Sequence, residues 1–549
     1  MNNRADSIYQ SITKKEIGRL FIVGSLIGMI VFFFCYGWQV LNVTDDSWLL
    51  NGQDISQHYI GWKFFRASEW HFPLGQIDGI IYPDVSSIVF TDSIPLFAIF
   101  FKILSPILPD TFQYFGIWGL MTYFLIGGIS PVILRKSTEN HWLCWIGGGF
   151  FCLSPYVLQR MYGHTALAGH WIILLAIAIW IYKPYFSTFR RKTAAWMGLL
   201  ITASLVHIYF VPMIMIFMFG FCLQDLIENR QWKENLIFAV AAVVADLGVL
   251  SAVGAFSESG SMAEKGLGLY SANINSLINP ASYKTLLASL PMRNGQGEGF
   301  GYLGLGILLL AGCALGICIA KNKIKKQGAF GYSMAAVLCI LFVLAWSPEI
   351  TLGLWTVFRI PYPSIILKVL EIFRASGRFI WCVGYIIMAA SIMTVCRNFT
   401  KKIAYLCLGV ALILQTADLH WMMLSKREHY TSSSQMASIQ SEEWETLAQG
   451  KAHLIILPYD AVEETYGSSA SYEIANFAID HEMTINYFPL ARTDDEAFES
   501  NEEMFIEELL SGTAEDGDKN LYILETEELA EKLGLTSYMI DGYCIGVLH

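Results

Sequence analysis

Charge is scarce in this chain. Only 15% of its 549 residues are Asp, Glu, Lys or Arg, against 54% hydrophobic, and the mean hydropathy is +0.45. A soluble protein of this length needs a more polar surface, which excludes that class. The eleven cysteines form no CxxC pair and no Cys/His spacing of the zinc-binding kind. Ten lie in apolar segments, Cys544 being the exception, and read as small packing residues. No internal repeat or low-complexity tract stands out.

What is present is a series of apolar runs long enough to cross a bilayer, so the chain reads as a polytopic α-helical membrane protein. Eleven spans are expected, near 17–40, 113–134, 141–157, 168–183, 193–208, 209–224, 235–255, 302–320, 328–346, 377–396 and 403–419. The first is too long for a signal-peptide core and reads as a retained anchor. Short loops rich in Lys and Arg, such as Arg135-Lys136 and Arg190-Arg191-Lys192, fall on one side, which the positive-inside rule makes cytoplasmic. The N-terminus joins them. The stretch Ile94 to Leu108 is apolar but short and holds Pro95, Lys102 and Pro106. An interfacial helix on the outer leaflet keeps every basic short loop inside.

The net charge of −11 divides unevenly. Residues 420–549 hold 26 acidic and 6 basic residues, so −20, which leaves +9 for residues 1–419. The tail therefore reads as a separate acidic, water-soluble domain, and its charge argues against nucleic acid. Apolar runs at His453 to Pro458 and Leu521 to Leu524, a helix over Glu525 to Leu533 and a last strand over Tyr543 to Leu548 predict a small α/β domain outside the membrane. The tail has no glycine-rich phosphate loop and no nucleophile motif.

Chemistry is expected in the outer loop, 41–112. Its segment Asp45 to Pro95 holds seven aspartates or glutamates, two histidines and many aromatics. Asp54, Gln57, His58, Gly61, Trp62 and Phe65 fall on one face of a short helix. They would grip a polar substrate, or Asp54 and Gln57 would form an N-terminal capping box. Asp45, Asp46 and Asp92 are rival carboxylates, and Asp92 would equally cap the interfacial helix. His164 and His170, six residues apart beside Arg160, do not fit two metal ligands on one helical face. They suit phosphate or hydroxyl binding, or are incidental to anchoring by Tyr162 and Trp171. Arg374 and Arg378, at i and i+4, would clamp a phosphate or snorkel to lipid headgroups. Glu298, in the glycine-rich loop ahead of a span, would contact a sugar hydroxyl or acceptor, or be an ordinary loop glutamate.

The segments GQDISQHYIGWKFFRASEW, YPDVSSIVFTDSIP, SPYVLQRMYGHTALAGHW, NSLINP, GQGEGFGYLGLG and FRASGRF are together similar to a bacterial membrane family of the C-type (GT-C) glycosyltransferase superfamily. The resemblance covers most of residues 45–420. It implies inverting transfer of a sugar from a polyprenyl-phosphate carrier to a glycan, lipid or protein acceptor outside the plasma membrane. It makes Asp54 the general base, with Arg374 and Arg378 at the leaving phosphate and Gln57, His58, Asp92, His164, His170 and Glu298 as substrate contacts. No DxD or acidic pair is placed to bind a divalent ion, so use of a divalent metal stays open, without support from the sequence, and no other cofactor is indicated. A transporter of lipid-linked sugars, for which Asp246 is the one clear carboxylate inside a span, and a non-catalytic envelope-assembly subunit are the rival functions.

Overall fold

A computed structural model describes residues 12–257, 266–321, 328–431, 439–490, 492, 495–514 and 517–548. Among them, seven helices are long and apolar enough to span a bilayer, which makes the chain a multi-pass membrane protein. They are α1 (Lys14–Tyr36), α4 (Phe115–Leu134), α9 (Phe210–Asn229), α10 (Trp232–Ala252), α12 (Ala329–Trp346), α14 (Ile380–Asn398, with the turn that begins at Ser376) and α15 (Lys401–Thr431). The other four expected spans form helices as well. Three are short: α5 (His141–Cys152), α7 (Trp171–Ile181) and α11 (Leu305–Ala320). The fourth, α8 (Phe189–Val206), opens on Arg190, Arg191 and Lys192.

Local chemistry sets the helix ends. The Thr13 hydroxyl accepts the Glu16 N–H at the start of α1, and Gly37 ends that helix at φ 76°. Glycines at 24 and 28, one turn apart on α1, then let two backbones touch. A Cβ at Gly24 would lie 2.1 Å from the Gly127 carbonyl oxygen of α4, and one at Gly28 2.0 Å from that of Tyr123. Close approach through small residues is how helices associate in lipid, where apolar burial supplies little drive.

The long loop between α1 and α4 holds regular structure. It contains α2 (Asp54–Ala67), an antiparallel hairpin of β1 (Gln76–Ile81) and β2 (Asp84–Ser87), and α3 (Pro95–Ile103). At nine residues, roughly 14 Å, α3 is too short to span. The loop core is tied by Trp62, whose indole N–H donates to the Phe112 carbonyl at 2.9 Å, and by Ser93, whose hydroxyl donates to the His58 carbonyl at 2.6 Å. Gly61 is required there, because a Cβ would meet Thr91 side-chain atoms at 2.4 Å.

The short α6 (Pro155–Arg160) follows α5. A hairpin of β3 (Glu349–Leu352) and β4 (Trp355–Arg359) and the helix α13 (Ser364–Glu371) join α12 to α14. Helix α15 runs unbroken past residue 419 to Thr431. Beyond it come α16 (Glu443–Ala448), β5 (His453–Leu457), α17 (Ala461–Tyr466), α18 (Ser468–Asp480), β6 (Thr484–Ile485), α19 (Asp495–Ser511), β7 (Asn520–Leu524), α20 (Glu527–Lys532), β8 (Thr536–Ile540) and β9 (Tyr543–Val547). The strands form one mixed sheet in the order β6-β5-β7-β9-β8, with β6, β5 and β7 parallel. This unit docks on the loop between α1 and α4. Lys63 donates to Asn476 at 2.8 Å and pairs with Asp480, the Tyr82 N–H donates to the Ile485 carbonyl at 2.8 Å, and the Tyr82 ring stacks on His453.

The contact of α1 with α4 leaves no room for a side chain. Gly28→Val is therefore expected to lower the melting temperature of the protein in detergent, since overpacking costs ~1–3 kcal/mol. Gly248→Val, at a position where a Cβ meets nothing within 4 Å, is the control and should melt like wild type. Equal melting of the two variants would contradict this account of the crossing.

Candidate functional site

A cavity of about 260 Å³ lies where the loop between α1 and α4, the His207 turn, the segment after α13 and the C-terminal unit meet. Asp54, Gln57, Asp92, His164, His207, Arg374 and Arg378 line it, and Tyr472, Pro489 and Arg492 close it from the C-terminal side. Six of the residues singled out from the sequence thus share one space: Asp54, Gln57, Asp92, His164, Arg374 and Arg378.

Asp54 is the first residue of α2. Gln53 holds the capping position and no side chain caps that end. The Gln57 amide donates instead to the Pro489 carbonyl of the C-terminal unit. The capping box expected from Asp54 and Gln57 is therefore not formed, and both side chains face the cavity. Asp54 is half exposed and its Oδ2 lies 3.5 Å from His164 Nδ1. Partial burial, then the charges of Asp92 and Glu298, push its carboxyl above the ordinary range. The rivals Asp45 and Asp46 are occupied elsewhere. Asp45 accepts from the Ser47 N–H and hydroxyl, and Asp46 accepts the Tyr59 hydroxyl at 2.9 Å.

Asp92 does not cap α3, whose capping position is Ile94. It sits at φ 53°, with Ile94 at φ 56°. Two side-chain-bearing residues this close together in the left-handed region mark a strained turn of the kind that collects at functional sites. The turn aims Asp92 at His207, whose Nε2 is 3.1 Å from Asp92 Oδ1. Burial pushes the Asp92 carboxyl up, but His207 at hydrogen-bond distance outweighs it and holds the group below the carboxylate range.

Glu298 lies beneath the cavity floor in a dense ion network. Its carboxylate accepts from Arg160 at 3.1 and 3.0 Å and from Arg378 Nε at 2.9 Å, with Arg378 Nη2 at 2.7 Å. His164 Nε2 is 3.8 Å away. Burial raises this carboxyl, and Arg378 and Arg160 overcome that effect and keep it ionised well below its usual range. Arg378 also lies over the Tyr209 ring at 4.4 Å. Arg374 and Arg378 do not share a helical face, because residues 374–375 lie outside any helix and 376–379 form a single tight turn before α14. They still meet at the cavity wall, where Arg374 lies over Tyr270 at 5.4 Å.

His170 is not brought to this site. It is buried behind it, with Nδ1 2.9 Å from the Tyr385 hydroxyl and its ring against Trp381. His164 instead joins His58 and Asp92, and one ligand atom from each of the three lies within 4.8 Å of the others. The His58 Nδ1 is 3.1 Å from the Thr165 hydroxyl, while its buried Nε2 has no hydrogen-bond partner among the described residues. Burial draws the His58 imidazole down to about 4, and burial with Arg160 draws His164 to about 3. Both rings are neutral near pH 7, the form that ligates metals. Two imidazoles and a carboxylate suit a borderline divalent cation such as zinc.

Three carboxylates thus converge in two electrostatic states. Asp92 and Glu298 face cationic or imidazole partners at close range, whereas Asp54 is the one whose proton affinity is raised. Sequence reading passed over His207 as a site residue and Arg160 as the partner of Glu298. Neither carries a local signal, since their partners lie 115 and 138 residues away.

The Glu298 network has a defined pH signature. A carboxyl held below its unfolded value contributes stability above that value, near 4.5, and loses it as pH falls toward the folded value. Glu298→Gln should therefore melt lower than wild type at pH 7, with the difference shrinking below about pH 4.5. A constant difference across that interval would show that the charge is not what stabilises this wall.

The family described as "Domain of unknown function (DUF6311)" matches residues 25–420, and its C-terminal domain matches residues 443–548. No curated protein sequence matches the chain. Among solved structures, the chain is similar to the apo oligosaccharyltransferase of Archaeoglobus fulgidus, with a TM-score of 0.44, 12% identity and coverage of 87% of this chain but only 65% of that one. It is similar also to AglB from the same organism in complex with an inhibitory peptide and a dolichol-phosphate, with a TM-score of 0.44, 12% identity and coverage of 94% and 70%. The match over residues 25–420 takes in well over half of the sequence, and the chain accordingly belongs to the DUF6311 family.

Proposed function

We propose that the protein is an inverting glycosyltransferase that moves a sugar from a polyprenyl-phosphate donor to a glycan, lipid or protein acceptor outside the plasma membrane. One observation carries the reading. Asp54, the carboxyl whose proton affinity is raised, sits in a cavity that also holds Arg374 and Arg378. A base and a cationic wall in one space are what this transfer needs. The acceptor hydroxyl attacks the anomeric carbon from the face opposite the phosphate, and its proton passes to Asp54. The bond to the phosphate oxygen breaks, and polyprenyl phosphate leaves as an anion that needs no proton. One carboxylate suffices, unlike hydrolysis of a glycoside. Arg374 offsets the charge on the departing phosphate, while Arg378, already shared with Glu298, holds the wall in place. His164 orients the donor beside Asp54.

In this reading the membrane part has eleven spans and covers residues 1–419. The N-terminus is cytoplasmic, α3 lies in the outer interface, and an α/β domain over residues 420–549 stands outside. The basic short loops support that orientation.

Asp54→Asn tests the chemistry. It keeps the size of the side chain and removes the proton acceptor, at a position where no cap depends on it. Transfer from a lipid-linked sugar should fall ~10²–10⁴-fold, with melting unchanged. The wild-type rate should rise with pH through an acid limb above the ordinary aspartate value of about 3.9, because the base works deprotonated. In the same assay Arg374→Ala should weaken donor use by ~1.5–3 kcal/mol, and Arg374→Lys by less. A fully active Asp54→Asn protein would end the assignment.

Orientation has its own test. A single cysteine placed near residue 460, in a chain cleared of native cysteines, should react with a membrane-impermeant thiol reagent in intact cells. One placed next to Arg135 should react only after permeabilisation. The reverse pattern would invert the topology.

A further inference from the structure

A second cavity lies at the far end of α14 from Arg378. It encloses about 690 Å³ between the ends of α7, α9, α12 and α14, within the usual range for small-molecule sites. Its walls are mostly apolar, with Trp180, Phe330, Met334, Ile386 and Met393 among them. They run from Ile386 to Arg397 along α14, roughly 16 Å or half the hydrocarbon thickness of a bilayer.

One end of this cavity is lined by three cations, Lys136, Lys183 and Arg397, and by two carboxylates, Asp225 and Glu228. Lys183 is paired with Asp225 at 3.1 Å and Glu228 at 2.6 Å. Arg397 donates to the Lys136 carbonyl at 3.0 Å, and among the described residues no carboxylate lies within ion-pair distance of it. Lys136 sits over the Tyr182 ring at 4.4 Å, and burial, Arg397 and Arg135 draw its amine down to about 8. Gly328, which opens α12, lines the same end, and no described side chain caps that helix. Guanidinium, ammonium and the positive end of a helix dipole therefore converge over an apolar shaft.

We propose that this cavity binds an anionic phospholipid from the leaflet facing the basic turns, with its phosphate at Arg397 and Lys136 and an acyl chain along Ile386 and Met393. The charge selects a phosphate bearing net negative charge, and the depth of the apolar shaft selects a lipid over a free anion. The assignment is independent of the transfer chemistry, because it uses none of the residues around Asp54.

Native mass spectrometry of the full-length protein, titrated in detergent with phosphatidylglycerol, phosphatidylcholine or inorganic phosphate, tests it. Wild type should retain phosphatidylglycerol in preference to phosphatidylcholine. Arg397→Gln and Lys136→Gln should each weaken that binding about tenfold, the scale of one charge-assisted hydrogen bond, and Arg397→Lys should recover part of it. Ala390→Trp, which fills the shaft and leaves the cations in place, should also lose the lipid. Because that variant adds bulk, its melting without lipid is measured alongside, and the two Gln variants carry the test if it fails to fold. Equal retention of the two phospholipids, or unchanged binding in both Gln variants, would overturn the proposal. Displacement of phosphatidylglycerol by inorganic phosphate at equal concentration would assign the site to a free anion and overturn it as well.

Discussion

The cavity's inner wall depends on one partly buried charge, that of Glu298. Arg160 is almost wholly enclosed, with 3% of its side chain exposed, and an unpaired guanidinium in such a place costs several kcal/mol. Glu298 removes that cost and also binds Arg378, so one carboxylate joins the end of α6, the loop before α11 and the turn before α14. Each cation has an aromatic face on its other side, Trp381 for Arg160 and Tyr209 for Arg378. The faces add a weaker attraction and exclude water, which strengthens the ion pairs. The wall is fixed by this network before any ligand arrives.

Electrostatic division of labour follows. Had Asp54, Asp92 and Glu298 been equivalent, their mutual repulsion would have raised the proton affinity of all three. His207 and the two arginines relieve Asp92 and Glu298, and the remaining repulsion falls on Asp54. Burial, joined at His164 by Arg160, keeps the His58 and His164 rings neutral and available as donors or ligands. The chemistry of the pocket is therefore decided as much by Arg160 and His207 as by the groups that open into it.

Local pattern made part of this legible and left part hidden. Long apolar runs announce the spans, because hydrophobicity over twenty residues is a local property. Asp54, Asp92, His164 and the two arginines could be picked out because each sits in a polar, aromatic or glycine-rich break between such runs. Their pairings could not, since Glu298 meets Arg378 across 80 residues and Arg160 across 138. His170 shows the opposite failure. It shares a turn with His164, but Ala166–Ala168 reverse the chain, and His170 enters α7 facing the core. In the tail, β5 and β7 are short apolar runs, buried over most or all of their length, whereas β8 is mostly exposed and carries no such pattern. The end of α15 was hidden for another reason. Hydropathy falls at Lys426 and Arg427, yet the helix continues because Lys426 donates to the Met161 carbonyl and Arg427 to that of Phe34.

The part of the cavity wall formed by Tyr472, Pro489 and Arg492 belongs to the portion of the chain made after every membrane helix. During synthesis the loop between α1 and α4, with its Asp54, is made long before that wall exists. The pocket is then an open shelf, wide to solvent, and its last wall arrives only when β6 and the segment after it have docked. Completion of the site is in this way tied to completion of the polypeptide, so a ribosome that stalls in the tail leaves behind a membrane-embedded chain whose pocket has never closed.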